Sequence, residues 1–165
     1  MGQGQVAERV PPGELSYERE KERVVQFLEG KHAIVLATSL EGRVTARTVS
    51  FANDGLDIIF WSWGHNVKCV QIRGNPRVAL CRDHVQIEGV AEILGSPLDE
   101  KNERYTETMR SKYPGDYDRF AHAPGMVIVK IIATWVRIFV QIDGELYLKC
   151  LDPDQETAYL EALAG

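Results

Sequence analysis

The sequence predicts a mostly β chain, an antiparallel β barrel with peripheral helices, and three observations carry that reading. About seven short runs are rich in β-branched and aromatic residues, the composition that suits a pleated, half-buried strand. Neighbouring runs are separated by tight-turn signals such as Glu41-Gly42, Asn53-Asp54-Gly55 and Asp143-Gly144. Helical patterns fall between pairs of strands, so hairpins outnumber crossovers. A doubly wound parallel sheet needs a crossover for every strand and does not fit.

Residues 1–15, MGQGQVAERVPPGEL, read as a flexible arm. They lack the apolar core of a signal peptide, and Val6 stands where a myristoylation pattern needs Ser or Thr. One domain is expected over residues 16–165. Ser16 can cap a helix whose apolar positions Tyr17, Val24, Val25 and Leu28 follow the helical period, with Gly30 ending it. Strands follow at 33–39 (AIVLATS), 44–52 (VTARTVSFA) and 56–63 (LDIIFWSW). Asn66 opens a short helix to Arg73. Gly74 is expected in its left-handed C-terminal position, and Pro76 prevents continuation.

The runs at 77–81 (RVALC) and 85–94 (VQIEGVAEIL) form the next hairpin, with Val85, Ile87, Ala91 and Ile93 on one face and Gln86, Glu88 and Glu92 on the other. Ser96-Pro97-Leu98-Asp99 carries the cap, the first-position proline and the first-turn acid of a helix reaching about Lys112. Tyr113-Pro114-Gly115-Asp116 breaks it, and a further helical turn follows near 117–120. The run at 126–142 (MVIVKIIATWVRIFVQI) is too β-branched for a helix and too long for an ordinary strand, so a long, bent, bulged strand is expected. It turns back into 145–151 (ELYLKCL), and DPDQETAYLEALA at 152–164 is expected to close the chain as a helix.

At 165 residues the chain is long enough to bury a substantial core. Nineteen basic against 24 acidic residues give a net charge of −5, which argues against nucleic acid or an anionic membrane as partner. No apolar run approaches membrane-spanning length. The three cysteines, Cys69, Cys81 and Cys150, are odd in number and form no CxxC, the pattern of reduced thiols in a cytoplasmic protein. His32, His65, His84 and His122 have no spacing that points to a shared metal, so no metal site is expected. No GxSxG, Walker or GxGxxG pattern occurs.

Two cations stand out. Arg47 shares a strand face with Val49 and Phe51, where an unpaired guanidinium is expensive; a salt bridge or a snorkelling position at the barrel rim would serve it. Lys68 falls in the first turn of the 66–73 helix, where it opposes the helix dipole unless an anion is bound; a solvent-facing lysine is the ordinary alternative. Two such residues at neighbouring strand ends favour a phosphate. Trp61, Trp63 and Trp135 have core packing as their ordinary role, and Cys69 reads as an inert buried thiol.

Taken in order, Arg47-Thr48-Val49-Ser50, then Phe60-Trp61-Ser62 with Asn66-Val67-Lys68, then Asn75-Pro76-Arg77-Val78-Ala79-Leu80, then Val85-Gln86-Ile87-Glu88-Gly89-Val90-Ala91 form a series. It resembles the FMN-binding split-barrel superfamily typified by pyridoxamine 5′-phosphate oxidase, most clearly over residues 32–94. The resemblance implies a split antiparallel β barrel that forms a homodimer with FMN in grooves at the subunit interface. It implies that Arg47 and Lys68 bind the FMN phosphate, helped by Asn66 and the backbone at Val67. Thr48, Val49 and Ser50 would run beside the flavin ring and ribityl chain. Trp61 and Ser62 match an aromatic–hydroxyl pair, the hydroxyl near the phosphate. Trp135 and Arg137 would approach the flavin from the other subunit. Where the oxidase has a flavin-contacting glutamine, His84 or Gln86 takes the role. The oxidase's arginine- and histidine-containing segment for its own substrate is absent from the stretch IFVQIDGELYLKC. The expected function is therefore an FMN-dependent oxidoreductase of unknown substrate, not a true pyridoxamine-phosphate oxidase. A deazaflavin F420 or haem binder, and a non-enzymatic flavin-binding or sensing module, are the alternatives.

Overall fold

The computed structural model of the chain describes residues 13–163. Of the arm expected over 1–15, residues 1–12 lie outside that range. Glu14–Leu15 form a two-residue strand, β1, antiparallel to the last strand. Helix α1 spans Tyr17–Glu29. The Ser16 hydroxyl accepts a hydrogen bond from the Arg19 N–H, and Tyr17, Glu20, Val24 and Leu28 face inward at helical spacing.

β2 (Ala33–Leu40) and β3 (Arg43–Ser50) make the first hairpin, closed by Glu41 and Gly42, both at positive φ (50° and 78°) as a primed turn requires. The strand expected to reach residue 52 stops at Ser50. The Phe51 N–H turns to the His32 carbonyl (3.3 Å), and the chain resumes as β4 (Ala52–Asp54), paired with β5 (Asp57–Trp63). Helix α2 (Val67–Gly74) follows, then β6 (Arg77–Arg82) and β7 (Val85–Gly95). Gly74 does not take the left-handed conformation expected of it; it closes the helix. A Cβ there would lie 2.5 Å from Leu40 Cδ1, so the glycine packs closely against the Leu40 side chain, which would have to move for any larger residue.

The helix expected from residue 96 begins later. The Ser96 hydroxyl closes a turn on the Leu98 N–H (3.1 Å), and the Asn102 amide is drawn to the Leu94 and Ser96 carbonyls (3.1 and 2.9 Å). A 3₁₀ turn at Glu100–Asn102 therefore precedes helix α3 (Glu103–Lys112), and helix α4 (Pro114–Phe120) follows the break.

β8 (Met126–Ile142) is the predicted long strand, and it organises the molecule. β7 pairs with one of its edges, while on the other its first half pairs with β5 and its second with β9 (Glu145–Asp152). The bulge sits at the changeover. Gly89 pairs with Ala133 and Glu88 with Trp135, which leaves Thr134 extra. The Asp57 carboxylate accepts the Ala133 N–H (3.3 Å) and pairs with Lys130 (3.2 Å). A side chain at Gly89 would strike the Ile132 carbonyl oxygen at 2.6 Å, so the bulge depends on that glycine.

The C-terminal helix expected from residue 152 is a strand instead, β10 (Thr157–Ala162), paired with β9. The Asp152 carboxylate closes a turn on the Asp154 and Gln155 N–H groups (3.0 Å each), and Ala158 and Leu160 alternate inward between exposed neighbours. An unpaired sheet edge overrode the helix propensity of Glu, Ala and Leu.

The sheet runs β1-β10-β9-β8-β7-β6-β2-β3, with β5 and β4 branching from β8. From β5 through β8, β7, β6 and β2 to β3 it wraps around a core that includes Leu36, Phe51, Ile58, Phe60, Ile87 and Ile131. β3 and β5 are not paired, and the barrel is open between them. Among the described residues no helix is long and apolar enough to cross a membrane.

Candidate functional site

A strand that lacks a neighbour presents backbone N–H and C=O groups sideways. Thr48, Val49 and Ser50 on β3 do so toward Trp61, Ser62 and Trp63 on β5, and these six residues line a cleft of about 250 Å³. Lys68, Met109, Asp116, Phe120 and Met126 complete it. Helix α4 forms one wall, with Phe120 edge-on to Trp63 (centroids 5.8 Å) and Tyr117 tilted against Trp61 (6.3 Å). The Trp61 indole N–H is buried and has no hydrogen-bond partner.

Strand alternation turns Arg47 inward from β3, as its face with Val49 and Phe51 requires. Its guanidinium donates to the Thr38 hydroxyl (2.7 Å), the Leu36 carbonyl (3.3 Å) and the Thr45 hydroxyl. Both hydroxyls in turn donate to the Gln71 side-chain oxygen on α2 (2.6 and 2.7 Å), whose amide reaches the Arg43 carbonyl (3.0 Å). This network fixes α2 against β2 and β3, and with it Lys68. Burial lowers the Arg47 pKa from its ordinary value. Burial also lowers that of Lys68, and the charge of Arg47 adds to the effect. Among the described residues neither cation forms an ion pair. The salt bridge that would have been the ordinary role for Arg47 is not made there.

Asn66 stands at the N-terminus of α2, but its side chain makes no cap hydrogen bond. It does accept the Cys69 and Val70 N–H groups through its carbonyl (2.9 and 3.1 Å). The first N–H groups of the helix, at Val67 and Lys68, are left for another acceptor. Ser62, on β5, is buried and lines the same cleft as Lys68, its hydroxyl donating to the Trp63 carbonyl (3.2 Å).

The remaining candidates lie elsewhere. Gln86, Trp135 and Arg137 line a second, more apolar groove of about 270 Å³ on the outer face of β2, β6, β7 and β8, with Val35, Ala37 and Cys81. The register places Thr48, Val35, Cys81, Gln86 and Arg137 in one row across the sheet. Four strand spacings separate its ends, about 19 Å. Arg137 lies 5.7 Å over the Trp135 ring and 4.0 Å from the Glu88 carboxylate, and the Trp135 indole N–H is buried without a partner. His84 lies in neither opening; it occupies the β6–β7 turn, its ring against Phe139 (6.0 Å). Among the described residues no group of three or more His, Cys, Asp or Glu gathers to hold a metal.

Met109, Asp116, Phe120 and Met126 were not anticipated at the cleft. The breaker at 113–116 located α4 in the sequence, but only tertiary packing places that helix over β5.

The cleft thus offers one unpaired cation, Lys68, with Arg47 close enough behind it to lower its pKa, and free helix N–H groups, with an open strand edge and aromatic walls beside them. That combination suits a phosphate joined to a planar, hydrogen-bonding ring.

No protein of curated function matches the sequence. Among solved structures, General Stress Protein 26 from Bacillus anthracis matches with a TM-score of 0.57 at 22% identity, over 78% of this chain and 97% of that one. A FAD-binding protein from Mesorhizobium loti matches with 0.56 at 19% identity, over 70% and 88%. HutZ, the haem storage protein of Vibrio cholerae, matches with 0.58 at 14% identity, over 72% and 91%. The fold is the split antiparallel barrel. The model of the pyridoxamine 5′-phosphate oxidase family matches residues 20–139, the span from α1 to the second half of β8, and the chain belongs to that family.

Proposed function

We propose that the chain is an FMN-binding flavoprotein, a homodimeric oxidoreductase working in the cytoplasm on a small molecule. The observation that carries the reading is the pair Arg47 and Lys68, close together, partly buried and without an ion-pair partner among the described residues. A terminal phosphomonoester with a charge near −2 offsets both. FAD ends in no such group. Lys68, Arg47, the Ser62 hydroxyl and the N–H groups after Asn66 would hold the phosphate. The open edge at Thr48, Val49 and Ser50 would meet ring heteroatoms, and Trp61 would flank them. Bound there, a flavin supplies electron transfer, while these residues orient it and keep water from it.

One chain cannot bring Thr48 and Arg137 to the same ring, because about four strand spacings separate them. A second copy laying its Gln86, Trp135 and Arg137 face over the cleft would do so. Haem fits less well, since of the usual axial ligands only the thioethers of Met109 and Met126 line the cleft, and no histidine, cysteine or tyrosine does. Residues 16–165 then form one domain, and pyridoxamine 5′-phosphate is a poor substrate.

The visible spectrum of the purified protein tests the reading. Two flavin bands, with FMN released on denaturation, are expected. A Soret band, an F420 band, or colourless protein that fails to bind FMN at micromolar concentration would overturn it. Light scattering should give a dimer, and a monomer that holds FMN tightly would refute the shared site. Peroxide release with pyridoxamine 5′-phosphate should be negligible.

A further inference from the structure

The α4 wall of the cleft has a charge that the cofactor reading leaves unused. Asp116 lies in the first turn of α4, half-buried, and lines the cleft with Phe120 and Trp63. Its backbone N–H is taken by the Tyr113 carbonyl (3.1 Å). Among the described residues its carboxylate makes no ion pair and no hydrogen bond. A carboxylate at a helix start needs no partner when it faces open water. In a cleft walled by three aromatic side chains and two methionines it has lost part of that hydration.

The cations nearest in sequence form no ion pair with it. Arg110 pairs with Glu107 (3.6 Å) and stacks on Tyr117 (4.8 Å), and it lines a separate depression. Arg119 is exposed and lies 5.0 Å over the Phe120 ring. Lys112 donates to the Leu28 carbonyl (3.3 Å) and sits over Phe51 (4.5 Å). Lys68 lines the same cleft as Asp116 but forms no salt bridge with it, so the cleft has a basic pole and a separate acidic one.

We infer that Asp116 is a specificity-determining residue: with Phe120 and Trp63 it selects a planar substrate bearing a cationic or N–H-donating group. The inference rests on the flavin reading above, which assigns the basic pole to the cofactor and leaves the acidic pole to the substrate. The exposed Trp63 ring attracts the same cation through its face, as Phe120 attracts Arg119. A substrate with a second phosphate or a carboxylate meets repulsion there, since like charges at short range in a partly dry site cost more than in water.

The test uses benzylammonium, benzyl alcohol and benzoate, which share a ring and differ in charge, titrated into the FMN-saturated protein. Binding is read from the flavin absorbance and from the fluorescence of Trp61 and Trp63. Benzylammonium should bind about five- to tenfold more tightly than benzyl alcohol, and benzoate most weakly, the effect of one partly exposed charge-assisted contact. Asp116→Asn should bring the first two within about twofold, and Asp116→Lys should reverse the order. The ranking is internal to each variant, so partial unfolding cannot imitate it. A ranking that neither substitution changes would overturn the inference. So would Asp116→Asn weakening FMN as much as it weakens benzylammonium, because the carboxylate would then serve the cofactor. If wild-type protein binds no FMN, the flavin reading fails; the fragment series on that protein, read by tryptophan fluorescence, still decides on Asp116.

Discussion

The molecule has two sets of partly buried cations, and it treats them in opposite ways. Where α1 packs on β9, Lys149 meets the Glu20 carboxylate at 2.9 Å and Arg23 meets its other oxygen at 2.6 Å. The Glu20 side chain is 5% exposed and that of Lys149 18%, so these charges have left water and found one another. Where α2 packs on β2 and β3, Arg47 and Lys68 have also lost much of their hydration, yet their surroundings supply only hydroxyls, carbonyls and each other's repulsion. A cluster that merely joins two elements gives its buried cation a carboxylate partner. One that leaves two like charges together retains a cost that an incoming anion relieves, so the imbalance itself points to a ligand.

Removing the acid from the first cluster should have the largest effect on stability. Glu20→Ala strands Lys149 in a site with little water and should lower the unfolding free energy by about 3 kcal/mol, measured by urea denaturation. FMN affinity should stay within about twofold of wild type after correction for the folded fraction, since nothing in the cluster reaches the cleft. A loss of only a few tenths of a kcal/mol would show that water satisfies Lys149 and would erase the contrast.

The second cluster should answer in affinity. Lys68→Ala or Arg47→Ala should each cost about 1.5–3 kcal/mol of FMN binding, roughly ten- to a hundredfold. The double variant should lose less than the sum, because one phosphate is shared. Riboflavin, without the phosphate, should bind wild type weakly and be nearly indifferent to Lys68→Ala. Fluorescence quenching with both flavins measures this. Equal losses for FMN and riboflavin would move the two cations away from the phosphate.

The contrast also explains how much could be read from the sequence. Strand periodicity and turn chemistry are local, so the hairpins and the long bulged strand at 126–142 were legible, as was the outlying position of Arg47 and Lys68. The C-terminal strand was not. ETAYLEALA has good helix formers, and only an available edge on β9, distant in the sequence, converts it to β10. Asp116 was equally hidden, because the loop residues that locate α4 say nothing of the surface it covers. Gly74 was misread for a related reason: a glycine after a helix suggests a left-handed turn, whereas the cause here is Leu40, from a strand more than 30 residues earlier. Among the candidates carried over from the family pattern, His84 and Gln86 were separated only by the side chains' places in the hairpin. Gln86 faces the groove, and His84 is spent on the turn.

The smallest expected effect is a pH dependence that belongs to the second cluster alone. Burial and Arg47 hold the Lys68 pKa below the ordinary lysine value of 10.5 in the folded chain. Between the lowered value and 10.5 the unfolded chain binds more protons than the folded one, so this group's contribution to stability rises with pH through that window. Below the window its unfavourable contribution is fully present and flat. Lys112, also lowered by burial, acts in the same direction, while Tyr17 and Tyr113, raised by burial, act in the opposite direction near pH 10. The informative quantity is therefore the difference between wild type and Lys68→Met, in which the shared groups cancel. Without flavin, the Met variant should be the more stable at neutral pH, and the gap should close as pH rises toward 10.5. Saturating FMN should reverse the neutral-pH gap, because the phosphate stabilises the charged lysine and is bound only by the folded chain. Denaturation midpoints of both proteins at several pH values, with and without FMN, measure it. A gap that stays constant with pH would mean that Lys68 is hydrated like any surface lysine, and the imbalance that distinguishes the cleft would reduce to Arg47.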